Sequence, residues 1–236
     1  MSNTGNGIKA RPGEWSFGGD VPNFFNEHIE RSVPGYKEGH ELITKLAPFF
    51  LSKKESKFFE VGCSTGSLTF NVAKILDRLD ITYTGIDVEE KMIEYCTKNN
   101  NFENCIFDVG DVLNYEIFEQ NLIASYYTIQ FINPSVRQSV INKIYESLQW
   151  GSAFIMFEKV RGPDARFQDI MDTLYTEYKM ENGYNEKEII SKKLSLKGIL
   201  EPFSSNANIE MLKRAGFEDI QIIFKRLSFE GFLAIK

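Results

Sequence analysis

Histidine and cysteine are scarce, with two of the first and three of the second in 236 residues. Cys63, Cys96 and Cys105 are too few and too scattered for a disulfide framework. With His28 and His40 as the only histidines, no Cys/His cluster stands at zinc-ligand spacing, and no metal is expected. A basic excess is missing as well. The chain carries 33 acids against 27 Lys and Arg, a net charge of -6 that repels a polyanion, so direct nucleic-acid binding is not expected and a small molecule is. No run reaches the ~20 apolar residues of a membrane span, and the opening MSNTGNGIKARPGEW has no signal-peptide core, so no membrane partner is expected and a cytoplasmic location is. No Pro-, Gly- or Ser-rich linker divides the chain, and a 42% hydrophobic content suits one large core. A single domain over residues 1–236 is expected.

What is present begins with FFEVGCSTGSLTF at 58–70, a hydrophobic run that ends in an acid and breaks into a glycine-bearing turn before a helix. In open α/β sheets ligands sit at such carboxyl ends of strands. Strand-like segments follow at 81–87, 104–111, 121–131 and 152–160, rich in β-branched and aromatic residues. Between them SLTFNVAKILDRL and PSVRQSVINKIYESL carry apolar residues at three- and four-residue intervals, with Pro134 suited to a first helical turn. Strands alternating with helices predict an α/β fold with a parallel sheet. The final FEDIQIIFKRLSFEGFLAIK gives two strands too closely joined for a crossover, and so a closing antiparallel hairpin.

This order resembles the class I S-adenosylmethionine-dependent methyltransferase fold, a Rossmann-like architecture. Glu60-Val61-Gly62-Cys63-Ser64-Thr65-Gly66 is similar to its acid-x-G-x-x-x-G first motif, with Ser64 where a middle glycine is common. Gly62 and Gly66 let the backbone approach a ligand, and the next helix directs free N–H groups toward it. Glu60 ends the first strand, where it could orient the cofactor's cationic amino group or cap the helix. Asp87 ends the second, placed to accept from both ribose hydroxyls. Asp111 follows the third, placed to accept from an adenine amine while Val112 packs on the ring. Any one of these acids could be a turn residue, but three at successive strand ends after a glycine turn fit a ribose-adenine ligand.

A closer resemblance runs from about residue 13 to the end. GEWSF, VPNFFNEHIERSVPGY, IQFINPSVRQ, IYESLQWG, FEKV, NGYNEKEI and MLKRAGFEDIQIIFK together resemble the carboxy-S-adenosylmethionine synthase family. The resemblance implies a homodimer that binds S-adenosylmethionine and uses prephenate to turn the cofactor's methyl into a carboxymethyl for tRNA wobble-uridine modification. By position it implies cofactor contacts at Tyr36, Gly62, Cys63, Ser64, Asp87, Val88, Asp111 and Val112. Two positions depart from the pattern. Tyr126 stands where the family has Asn, and Lys193 stands where it has an Arg that holds the added carboxylate. An ammonium binds a carboxylate as a point charge, without the two-pronged geometry of a guanidinium.

The sequence reading therefore favours an S-adenosylmethionine-dependent methyltransferase acting on a small molecule, with carboxy-S-adenosylmethionine synthesis as its alternative. A further alternative is an intramolecular displacement on S-adenosylmethionine, or a non-catalytic protein that binds it. Methyl transfer needs mainly positioning of a nucleophile and exclusion of water, so no catalytic dyad need be visible. His40, Tyr184 and Lys193 are the candidates for a chemical role. Residues 1–55 are expected to form an N-terminal helical cap. The segment 161–204 is longer than a crossover needs and is expected to be a lid, its pocket candidates being Arg166, Tyr175, Tyr178, Tyr184 and Lys193, with Tyr127 from the fourth strand.

Overall fold

A computed structural model describes residues 2–5 and 8–236. After a two-stranded ribbon, β1 (Ser2–Asn3) with β2 (Lys9–Ala10), come helices α1 (Val21–Ser32) and α2 (Tyr36–Phe50). The alternating part follows as β3 (Lys57–Val61), α3 (Ser67–Leu76), β4 (Thr82–Asp87), α4 (Glu90–Asn99), β5 (Cys105–Val109), β6 (Gln120–Tyr126), α5 (Pro134–Ser147) and β7 (Leu148–Lys159). Two helices, α6 (Ala165–Glu181) and α7 (Glu186–Ser195), precede α8 (Ser205–Ala215) and the strands β8 (Asp219–Arg226) and β9 (Phe229–Ile235). The sheet order is β5-β4-β3-β6-β7-β9-β8. The first five strands are mutually parallel, and β9 runs antiparallel to both β7 and β8. This is the parallel sheet with a closing hairpin that the alternation predicts.

The pleat sends successive side chains to opposite faces, and both faces are covered. Phe58, Tyr83, Leu122, Ala124, Ile155 and Phe157 pack with Ile43 and Ala47 of α2 and Leu68 and Val72 of α3. Phe59, Ile86, Ile123, Phe154 and Met156 pack on the other face with Val140, Ile141 and Ile144 of α5 and Met211 and Leu212 of α8. A third cluster joins Trp15 to Val21 and Phe25 of α1 and Met92 of α4.

Some boundaries differ from the periodicity. The fourth strand stops at Tyr126, because Tyr127 takes a left-handed φ of 61° and Ile129–Phe131 form a 3-10 turn. Gln130 secures that turn, donating to the Tyr127 carbonyl at 3.1 Å and accepting from the Lys159 amide at 2.8 Å. Helix α3 ends at Leu76, three residues early, where Asp77 turns left-handed at φ 47°. Strand β7 begins at Leu148, earlier than Ser152.

Candidate functional site

The carboxyl ends of β3, β4 and β6 open on a cavity of about 470 Å³. Its floor is the turn after β3. The Gly62 and Cys63 amides both donate to the Ile86 carbonyl, at 2.8 and 2.9 Å, and a Cβ on Gly62 would run into Thr128. Gly62, Ser64 and Gly66 have φ of 70°, 49° and 73°. Ser64 thus keeps the left-handed conformation that a glycine would take without strain.

Asp87 ties this turn to the next strand end, accepting from Ser64 N at 2.9 Å and Glu89 N at 3.0 Å. Burial raises its carboxyl above the usual range, and backbone donors from Glu89, Ser64 and Val88 oppose that. Asp111 accepts from Leu113 N at 2.9 Å, which presents Val112 to the cavity beside it. Glu60 is buried, and Thr69 donates to its Oε2 from both backbone N and hydroxyl. Burial still pushes Glu60 up to about 8, the Thr69 bonds opposing and Asp87 adding. A cationic ligand group beside it restores the ionised form.

Tyr36, His40, Tyr126 and Tyr127 make one aromatic wall. The Tyr126 hydroxyl donates to the Tyr36 carbonyl at 2.6 Å, and its ring lies 5.0 Å from Tyr36 and 4.6 Å from His40. Asn71 Nδ2 donates to His40 Nδ1 at 3.3 Å, while Nε2 is buried without a partner among the described residues. Burial lowers His40 to about 3, so its ring is neutral at physiological pH.

The remaining wall is cationic. Lys159 from β7 and Lys192 from α7 both line the cavity. Lys159 Nζ lies 4.5 Å from the Tyr175 ring centre and Lys179 Nζ 4.2 Å, while the Tyr175 hydroxyl donates to the Ser32 carbonyl at 2.8 Å. Burial and the neighbouring lysines lower Lys179 to about 7. Lys192 Nζ touches His28 Nε2, sits 3.4 Å from Ser32 Oγ and lies 4.8 Å from the Trp15 ring centre.

Of the residues expected in the pocket, the cavity gathers Tyr36, Glu60, Gly62, Cys63, Ser64, Asp87, Val88, Asp111, Val112, Tyr126, Tyr127, Tyr175 and His40. Gly66 shapes the turn between two lining residues, Thr65 and Ser67. Tyr184 stands behind the wall, its hydroxyl 3.0 Å from Ser32 Oγ and 3.2 Å from His28 Nδ1. Arg166 is exposed, and neither it nor Tyr178 lines the cavity. Lys193 is also a correction. Its side chain is 75% exposed and pairs with Asp172 at 3.4 Å. One residue turns a helix by about 100°, so it is Lys192 that faces inward in this chain. Lys159, Lys192, Trp15 and His28 went unnoticed in the sequence, where no local pattern joins them. Among the described residues there is no group of three or more His, Cys, Asp or Glu arranged to hold a metal ion, and no helix is long and apolar enough to cross a membrane.

A family model described as "Methyltransferase domain" matches residues 52–216. Among solved structures, the plantazolicin methyltransferase BpumL in complex with a desmethyl analogue and SAH aligns at a TM-score of 0.66, over 92% of this chain and 91% of that one, with 14% identity. Human N-acetylserotonin methyltransferase in complex with SAM aligns at a TM-score of 0.57 over 90% of this chain and 57% of that one, with 17% identity. Sheet order, glycine turn and acids at successive strand ends thus make an S-adenosylmethionine-dependent transferase with the class I methyltransferase fold. S-adenosylmethionine is its cofactor, and the Gly62 cradle and the buried Glu60 carboxyl fit its cationic amino-acid tail. Curated relatives named carboxy-S-adenosyl-L-methionine synthase are 36% identical in Staphylococcus epidermidis, over 95% of this chain and 98% of that one, and 34% identical in Campylobacter lari, over 94% and 95%. The chain belongs to the carboxy-S-adenosyl-L-methionine synthase family.

Proposed function

We propose that the enzyme carboxylates the methyl group of S-adenosylmethionine, the reaction named for its relatives, with a small carboxylate-bearing co-substrate such as the prephenate implied by family resemblance. The observation that carries this reading is the pair Lys159 and Lys192 on one cavity with the glycine turn, neither of them ion-paired to a carboxylate among the described residues. Amines so buried favour an anionic guest over the neutral acceptor of an ordinary methyl transfer. When bound, S-adenosylmethionine supplies a sulfonium-activated methyl. The chain's own part is to fix the ribose through Asp87, the adenine through Asp111 and Val112, and the amino-acid tail through Glu60, the turn amides and Tyr36. The aromatic wall excludes water, and the Lys159 ammonium holds the anionic partner's charge.

A second reading, methyl transfer to a small molecule, draws on Tyr126. Its phenol fills space beside Tyr36 that a smaller amide would leave open. One experiment separates the two. Purified enzyme is incubated with S-adenosylmethionine and prephenate, and the nucleosides are identified by mass spectrometry. Carboxy-S-adenosylmethionine supports the first reading. Its absence, with demethylated cofactor and a methylated acceptor formed instead, overturns it in favour of the second.

The proposal extends to a single cytoplasmic domain, a cap over residues 1–55 and a lid over 161–204. Free, buried Cys63, Cys96 and Cys105 suit a reducing compartment. Tyr175, Lys192, Leu196 and Leu200 are the lid's contributions to the cavity wall. The homodimer is supported by exposed Phe167, Ile170 and Leu174, one apolar stripe of α6. Light scattering that finds a fully active monomer would remove that part of the reading.

A further inference from the structure

The Lys192 amine is built differently from a surface lysine. A capping box between Asn185 and Glu188 fixes the start of α7, so its last turn presents Lys192 inward with little freedom. The side chain is 9% exposed, and Nζ sits in the cavity wall against His28, Ser32 and the face of Trp15. A buried ammonium needs a carboxylate to offset its lost hydration. The titratable groups that face it are His28 from α1, Lys179 from α6 and Lys159 from β7, and no acid pairs with it among the described residues. Burial first, then the charges of Lys179 and Lys159, hold its proton affinity well below that of an ordinary lysine.

Beside this amine lies an unused donor. Trp15 lines the same cavity, and its indole Nε1–H is buried with no hydrogen-bond partner among the described residues. An orphaned buried donor of this kind is uncommon and calls for an acceptor. The pocket therefore combines a nucleophilic nitrogen, a waiting N–H and a surrounding field of positive charge. An uncharged electrophile that becomes an anion on reaction satisfies all three.

We propose that Lys192 is a carbamylation site, where its amine takes up carbon dioxide in the wall of the cofactor cavity. The nitrogen lone pair attacks the carbon of CO2, forming an N–C bond as one C–O π bond becomes a carboxylate oxygen, and the nitrogen releases one proton to solvent. Nothing is oxidised or reduced. The carbamate reverses the local charge, so Lys159 and Lys179, which disfavour an ammonium there, stabilise the product, and Trp15 Nε1–H donates to a carbamate oxygen. The modification goes beyond the proposed function, and only its use in turnover, as a carboxyl unit held near the methyl, rests on that reading.

The test uses the full chain in isotope-labelled bicarbonate. Carbon NMR separates a carbamate carbonyl from bicarbonate and dissolved CO2, and alkylation with a trialkyloxonium salt followed by peptide mass spectrometry locates it. The wild type should show a carbamate on Lys192, and Lys192→Met should remove it. Trp15→Phe keeps an aromatic face but deletes the donor and should lower the carbamylation constant at least about tenfold, as loss of a hydrogen bond to a charged acceptor does. No carbamate in the wild type, the same signal in Lys192→Met, or no change in folded Trp15→Phe overturns the inference. Product analysis runs alongside. Carboxylated cofactor without a carbamate refutes this inference alone, and a carbamate without carboxylated cofactor refutes the proposed function alone.

Discussion

Asp87→Asn tests whether the strand-end acids hold a nucleoside. The carboxylate uses one oxygen for Ser64 N at 2.9 Å and the other for Glu89 N at 3.0 Å, and it faces the cavity. An amide keeps one acceptor and aims a donor where the second stood, so one backbone N–H loses its charged partner at a cost of ~1.5 to 3 kcal/mol. For a protein of this size that lowers the melting temperature of the ligand-free enzyme by about 3 to 12 °C. Binding carries a separate loss. The amide keeps one acceptor for the two ribose hydroxyls, so one bond to the charged carboxylate is lost at about 1.5 to 3 kcal/mol, roughly a 10- to 10²-fold rise in Kd for S-adenosylmethionine. Calorimetry on the folded variant measures the second effect and a thermal melt the first. A lower melting point with unchanged Kd would mean that Asp87 only staples the turn, and the ribose assignment would fall. Burial raises the Asp87 carboxyl, so wild-type affinity should weaken on acidification as the acceptors are protonated.

Glu158→Gln should alter the pH dependence of stability. Burial raises Glu158 from 4.5 to about 8 against the opposing Arg137 charge. Between those values the folded state keeps a proton that the unfolded state releases, so stability falls as pH rises, by up to ~1.4 kcal/mol per pH unit. The variant loses this slope and should melt above the wild type in alkaline buffer, and parallel pH–melting curves would refute the assignment. Arg137→Leu removes donors to the Ile132, Glu201 and Gln130 carbonyls at 2.8, 2.7 and 2.9 Å. Denaturant unfolding should show a loss of about 3 to 5 kcal/mol as buried acceptors lose their donors, and a loss below about 1 kcal/mol, the size of a surface pair, would mean the carbonyls find water instead. Tyr126→Asn deletes a buried ring and its bond to the Tyr36 carbonyl, costing about 3 to 5 kcal/mol as large-to-small core changes do. It should also raise retention of carboxylated cofactor in native mass spectrometry, and unchanged retention would show that the phenol does not compete for that space.

The glycine turn was legible because its chemistry is local: a strand, two glycines and a helix start lie within thirteen residues, 58–70. Asp87 and Asp111 were legible because a strand's end marks a place in space once the sheet order is known. Tyr127 was not, since nothing in YYTIQF announces a left-handed tyrosine, and the Gln130 bonds that secure the turn depend on β7 arriving beside it. Lys192 was missed for a different reason. Positional correspondence carries a role to a residue number, but helical phase decides which of two adjacent lysines faces inward, and α7's phase is set by its capping box. Its meeting with His28 spans 164 residues, a distance at which periodicity says nothing.

The place of β9 has a consequence for how the sheet is made. It lies between β7 and β8 and is translated after both, so neither strand has its partner until Phe229–Ile235 has emerged from the ribosome. A nascent chain halted before that point carries β7 with one open edge, and Ala153 to Phe157 on that edge are wholly apolar and buried in the finished protein. Such an edge is a template for pairing with another chain. Slow passage through the β8–β9 turn would thus expose newborn molecules to aggregation, and chaperone demand should peak just before the last strand appears.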